Sequence, residues 1–200
     1  MTSPLPHARD PAPWLARIRA EWQAMGGPLW LFAYGSLIWK REFEVDDSRR
    51  ARVCGWHRSF RMRSRINRGT PECPGLVLAL RPGGSCHGLV LQARDAAAPG
   101  WLEALWAREM PTGTYTPRWL ACRTEAGPVR ALAFTLDRDS PAHVGPLDDE
   151  ALLDILRHAQ GRYGRTLDYL VQTDAALRAH GIPDHGLARQ VQLARRHGLV

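Results

Sequence analysis

Glu109 is an acid in an apolar place. Read as a helix, residues 98–110 put Leu102, Leu105, Trp106 and Glu109 at i, i+3, i+4 and i+7, on one stripe. Glu103 and Arg108 fall off that stripe, where solvent should meet them. Glu109 also closes the helix, at the end where the dipole disfavours an anion. Burial and the dipole both raise a carboxylate above its ordinary pKa of about 4.3. A carboxylate tuned toward neutrality suits a general base. The alternative is a glutamate paired with an arginine at a helix end. A second candidate interrupts the apolar stretch "LWLFAYGSLIWK", residues 29–40. There Tyr34-Gly35-Ser36-Leu37 places a glycine after a strand, which lets backbone approach a ligand closely. Consecutive N–H groups in such a turn can cradle an anion. The alternative is a tight turn in a core.

Signatures of other chemistries are missing. The sequence has no G-x-x-x-x-G-K-[ST], G-x-G-x-x-G, G-x-S-x-G or H-E-x-x-H. Cys54, Cys73, Cys86 and Cys122 show no CxxC spacing and read as reduced thiols. Cys73, Cys86 and His87 are too few and too poorly spaced for a metal centre. His180 and His185 lie in "HGIPDHG", a connection marked by Gly and Pro, and read as solvated. Net charge is +7, and the bases are arginines apart from Lys40. Only Phe60 interleaves with the arginines of "RSFRMRSRINRG", residues 58–69, whereas a single-strand binder alternates aromatics with its cations. Attraction of a small anionic substrate is the preferred use of the charge, and no nucleic-acid partner is expected.

The elements that must position these residues follow from pattern. Residues 11–25 read as a helix opened by prolines and closed by Gly26-Gly27, an extension packed on the outside. Residues 29–33 read as a buried strand, and "ARVCGWHRSFRM" as a strand with a glycine break. "GLVLAL" (75–80) and "CHGLVLQA" (86–93) read as a hairpin around "RPGGS". Another strand pair turns at Gly127-Pro128. Helices close the chain: one over "DDEALLDILRHA", one from Thr166 as N-cap, and one over about 185–198. The class is α+β with a mostly antiparallel sheet able to curl into a barrel. The expected organisation is an N-terminal helical extension, 1–27, and a single domain, 28–200. No apolar run reaches the roughly 18 residues of a membrane helix, and the N-terminus lacks a signal-like apolar core. A cytoplasmic protein without a membrane partner is expected.

Several segments in order resemble the ChaC-type γ-glutamylcyclotransferase family. They are "FAYGSLIWK" (32–40), "VCGWHRSF" (53–60), "RGTPECPGLVLAL" (68–80), "GGSCHGLVLQ" (83–92), "LWAREMPTGTY" (105–115) and "YLVQTDAALRAHGIPD" (169–184). The resemblance implies the γ-glutamylcyclotransferase-like fold, a small mixed β-barrel flanked by helices. It implies glutathione as the small-molecule substrate, released as 5-oxoproline and Cys-Gly, with no cofactor, metal, ATP or water. The family's substrate loop falls on Ala33, Tyr34, Gly35, Ser36, Leu37 and Ile38, and its catalytic glutamate on Glu109. Family members commonly carry Gly-Gly-Tyr after that glutamate. This chain has Thr112-Gly113-Thr114-Tyr115, which leaves Tyr115 as the substrate-binding tyrosine.

The implied chemistry explains the missing nucleophile motif. The γ-glutamyl α-amine attacks its own side-chain carbonyl, so the nucleophile belongs to the substrate. Arg61 or Arg65 could attract the substrate carboxylates. Two other readings stay open: cyclotransfer on other γ-glutamyl amines or dipeptides, and a non-catalytic regulator of cation transport. A monomer is favoured.

Overall fold

The structure, a computed structural model, describes residues 10–200. Residues 1–9 of the expected N-terminal extension lie outside the described residues. The chain falls into two compact units whose segments alternate along the sequence. The first holds residues up to Ala33, Arg41–His57 and Leu80–Ser140. The second holds Tyr34–Lys40, Arg58–Ala79 and Pro141–Val200.

Five strands close a barrel in the order β1-β3-β2-β4-β5, with β3 also pairing to β5. They are β1 (Trp30–Ala33), β2 (Val45–Ser64), β3 (Gly75–Ala93), β4 (Thr116–Thr124) and β5 (Gly127–Thr135). β1 runs antiparallel to β3 with Trp30 opposite Gln92, and touches β5 in parallel at Leu31 and Leu132. β4 and β5 pair antiparallel from Thr116–Thr135 to Thr124–Gly127. The expected α+β class, with a mixed and mostly antiparallel barrel flanked by helices, is what the chain forms.

One expected hairpin is absent. Residues 75–93 form one continuous strand, not two joined at Arg81–Ser85. Gly83 and Gly84 take φ of 108° and 69°, a conformation that L side chains rarely adopt. Turn residues also serve bulges in long strands. Leu80, before this segment, pairs with Thr135 of β5, and Leu89, after it, with Ala33 of β1.

In the first unit, α1 (Ala12–Met25) and α2 (Trp101–Glu109) share one apolar cluster. Ile18 is fully buried there with Leu102, Leu105 and Trp106. The Trp106 indole donates to Pro11 O at 3.1 Å, and the Trp119 indole to Glu21 Oε2 at 3.0 Å. The N-terminal helix thus lies on the outside of this unit, contributing Ile18 to its core and packing Trp14, Leu15 and Trp22 partly buried against it.

The second unit holds a 3-10 turn at Ser36–Ile38 and three packed helices, α3 (Asp149–His158), α4 (Thr166–Ala179) and α5 (His185–Arg196). Asp148 caps α3 by accepting from Ala151 N at 2.8 Å, and Asp184 caps α5 by accepting from Leu187 N at 3.0 Å. Two two-residue strands, β6 (Gln160–Gly161) and β7 (Gly164–Arg165), precede α4. Thr166 does not cap α4. It is the first helical residue, fully buried, and its Oγ1 donates to Arg68 O at 2.8 Å while accepting from Leu76 N at 3.2 Å. Among the described residues, no helix is long and apolar enough to cross a membrane.

Candidate active site

Glu109 ends α2 in the first unit. Leu102, Leu105 and Trp106 fix the helix by burying its apolar stripe, and Glu103 faces solvent as its position predicts. The chain turns sharply after Glu109. Met110 N closes onto Trp106 O at 2.8 Å, and Gly113 N onto Met110 O at 3.1 Å, with Gly113 at φ 59°. The buried Met110 side chain anchors this turn.

The Glu109 side chain is only 15% exposed. Its Oε1 accepts from Arg108 Nε at 2.8 Å, and Oε2 has no hydrogen bond among the described residues. Arg108, expected on the solvent face, is 10% exposed and turns back along the helix end. Its Nη1 lies 3.9 Å from Glu42 Oε1. Burial pushes the Glu109 carboxyl above its ordinary pKa. The charge and hydrogen bond of Arg108 pull it down, and the nearby Glu42 carboxylate pushes it up again. Glu109 is therefore paired with an arginine, as one reading had it, and burial still holds its carboxyl above the ordinary range. An acid with one oxygen held and one open can take a proton from a ligand and return it.

Tyr115, in the same unit, packs its ring 6.3 Å from Phe134, which meets Trp106 edge-on at 5.5 Å. Thr112 and Thr114 hydrogen-bond to each other at 2.7 Å across Gly113.

The loop Tyr34–Ile38 belongs to the second unit, whereas Ala33 ends β1 in the first. Leu37 and Ile38 bury their side chains and anchor the 3-10 turn. Gly35 O accepts from Ile38 N at 3.0 Å, and Ser36 O accepts from Lys40 N at 2.7 Å. The N–H groups of Gly35, Ser36 and Leu37 have no acceptor among the described residues. Three successive free amides are the donor set of an anion nest. Arg58 braces the loop by donating from Nε to Tyr34 O at 2.7 Å, and pairs with Asp184 at 2.7 Å. A Cβ on Gly35 would sit 3.0 Å from Tyr169 Oη, so the glycine leaves room for the tyrosine that also bonds Leu78 N at 3.2 Å.

The bracing residues Arg58 and Tyr169 escaped the sequence reading. Arg58 was visible only as one of a run of arginines, and Tyr169 as a helical aromatic. Arg61 and Arg65 are half-buried in the second unit, and Arg61 lines a cleft with Arg189 and Arg196. Among the described residues, no group of three or more His, Cys, Asp or Glu could hold a metal ion.

Comparison with known proteins adds a family. The ChaC-like protein family model matches residues 29–197. The glutathione-specific γ-glutamylcyclotransferase of Escherichia coli K12 is 34% identical over 162 residues, spanning 80% of this chain and 70% of that protein. The rat glutathione-specific γ-glutamylcyclotransferase 1 is 31% identical over 174 residues, spanning 84% and 77%. In fold, the solved yeast γ-glutamyl cyclotransferase specific to glutathione superposes with a TM-score of 0.76 at 22% identity, covering 86% of this chain and 97% of that one. The chain belongs to the ChaC-like protein family.

Proposed function

We propose that this chain is a glutathione-specific γ-glutamylcyclotransferase. The α-amino nitrogen of the γ-glutamyl group attacks the side-chain amide carbonyl and closes a five-membered ring. The bond to the cysteinyl nitrogen then breaks. 5-Oxoproline and Cys-Gly leave, and no water is consumed. The proton lost by the attacking amine equals the proton gained by the leaving amine, so one carboxylate can carry it.

The observation that carries this reading is Glu109, a buried carboxylate whose Oε2 is open and whose proton affinity is raised. Glu109 takes the amine proton and returns it to the cysteinyl nitrogen. The amides of Gly35, Ser36 and Leu37 hold the anionic part of the glutamyl group, its α-carboxylate or the developing oxyanion. Holding the glutamyl chain curled supplies up to about 7–11 kcal/mol, the upper range for oriented intramolecular reactions. Tyr34, Ala33, Ile38 and Tyr115 complete the substrate-binding set through their backbones and packing. The reading takes residues 28–200 as the catalytic domain and 1–27 as an extension. It places a monomer in the cytoplasm, where four free thiols are at home.

Incubation with glutathione and detection of 5-oxoproline tests the reading, with γ-Glu-Ala and a γ-glutamyl amine alongside. Turnover of glutathione well above the others is expected. Turnover of another γ-glutamyl compound without glutathione would displace the substrate, and no 5-oxoproline from any would remove the reaction.

A further inference from the structure

Arg68 is a buried cation with little to hold. Only 5% of the residue is exposed. A guanidinium carries five N–H donors. Among the described residues, this one makes a single long hydrogen bond, from Nη1 to Arg165 O at 3.4 Å. Among the described residues, no carboxylate forms an ion pair with it. Asp168, in the first turn of α4, offsets part of the burial only through space. What surrounds the guanidinium is aromatic: the Tyr169 ring centroid is 5.3 Å from Cζ and that of Trp39 is 5.8 Å. Such faces steady an arginine without consuming its donors.

The backbone around Arg68 is built to close tolerance. Arg68 N donates to Ser64 Oγ at 3.0 Å, and Arg68 O accepts from Thr166 Oγ1 at 2.8 Å. Three glycines press backbone against backbone here. A Cβ on Gly75 would fall 2.1 Å from Arg68 O, and one on Gly161 2.6 Å from Arg68 N. A Cβ on Gly69 would fall 2.1 Å from Gly75 N. The fold thus fixes this arginine from both peptide sides and leaves its fork unfilled. Burying a charge without a partner is costly, and the fork geometry of arginine matches a carboxylate. Tyr169 links this position to the loop, since the same residue that faces Arg68 with its ring approaches Gly35 with its hydroxyl.

We propose that Arg68 is the receptor for a carboxylate of the substrate, taken between its guanidinium nitrogens over the Tyr169 and Trp39 rings. The inference rests on glutathione as ligand, which offers two carboxylates, one on the glutamyl Cα and one on the terminal glycine. Calorimetric titration separates them and needs no turnover. The chain carrying Glu109→Gln, with and without Arg68→Lys, is titrated with glutathione. Two analogues follow, one with the glycyl carboxylate and one with the α-carboxylate converted to carboxamide. Arg68→Lys should weaken glutathione binding about 10- to 100-fold, the range for a charged hydrogen-bonded contact. It should leave unchanged the affinity for whichever analogue lacks the carboxylate that Arg68 holds. Equal weakening for all three ligands, or none for glutathione, would overturn the proposal. Because binding is read in an inactive background, failure of 5-oxoproline release by the unmodified chain is a separate result that bears on the reaction alone.

Discussion

Glu109 and the Gly35–Leu37 loop represent opposite ways of making a reactive surface. At Glu109 the chemistry is a side chain: a carboxylate forced into an apolar setting, tethered through one oxygen by Arg108 and left open at the other. At Gly35–Leu37 the chemistry is backbone: three donors without acceptors among the described residues, while Leu37 and Ile38 bury their side chains. The first depends on electrostatics and so on pH. The second depends on shape and so on steric room.

Glu109→Gln gives the largest expected effect. The amide keeps the size of the side chain and cannot take a proton. Release of 5-oxoproline should fall about 10²- to 10⁴-fold in kcat. A variant within a few-fold of the parent would mean that the side chain in this region is not the base.

Gly35→Ala probes the other region. The added methyl would meet Tyr169 Oη at 3.0 Å and displace the loop. A loss of about 10- to 100-fold in kcat/KM is expected, on the scale of an ångström-sized misplacement. Adding Tyr169→Phe removes the opposing hydroxyl and should recover part of that loss. Full activity in Gly35→Ala would show that loop shape does not limit the reaction.

The smallest expected effect is a shift, not a loss. A base whose pKa is raised works once pH exceeds that raised value, so the acid limb of kcat/KM should lie above the ordinary carboxylate range. Arg108 opposes the rise by charge and by its hydrogen bond. Arg108→Leu removes both, so the acid limb should move further up in pH, while a limb set by the substrate amine stays in place. A limb that moves down, or remains still, would separate Glu109 from the observed titration. The same sign governs stability. A carboxyl that binds its proton more tightly when folded makes the protein less stable as pH rises from its unfolded pKa to its folded one.

Legibility followed the same division. Helical spacing exposed Glu109 because a misplaced acid is a side-chain property, and periodicity reports side-chain direction. It failed for Arg108, since it tracks where Cβ points and not where a long flexible stem folds. The free amides of Gly35–Leu37 could only be suspected, because a sequence spells out side chains and leaves unpaired backbone unmarked. Strand existence was legible, but continuity at Arg81–Ser85 was not: glycines that permit a reversal also fit a continuous strand, and Gly83 and Gly84 lie at positive φ within the unbroken run Gly75–Ala93. Arg68 was hidden among neighbouring arginines. Its distinction comes from burial and from the glycines that crowd its backbone.

The packing of α1 separates two kinds of boundary. Similarity to the family begins at residue 29, yet Ile18 and Pro11 are already wall and acceptor for the helix that ends in Glu109. A chain cut at the start of the match would retain every residue assigned to the reaction. It would also bare Leu102, Leu105 and the indole of Trp106 to water. The candidate carboxylate and part of the dry surroundings that tune it are thus encoded in different stretches of the polypeptide, and the two can be lost independently.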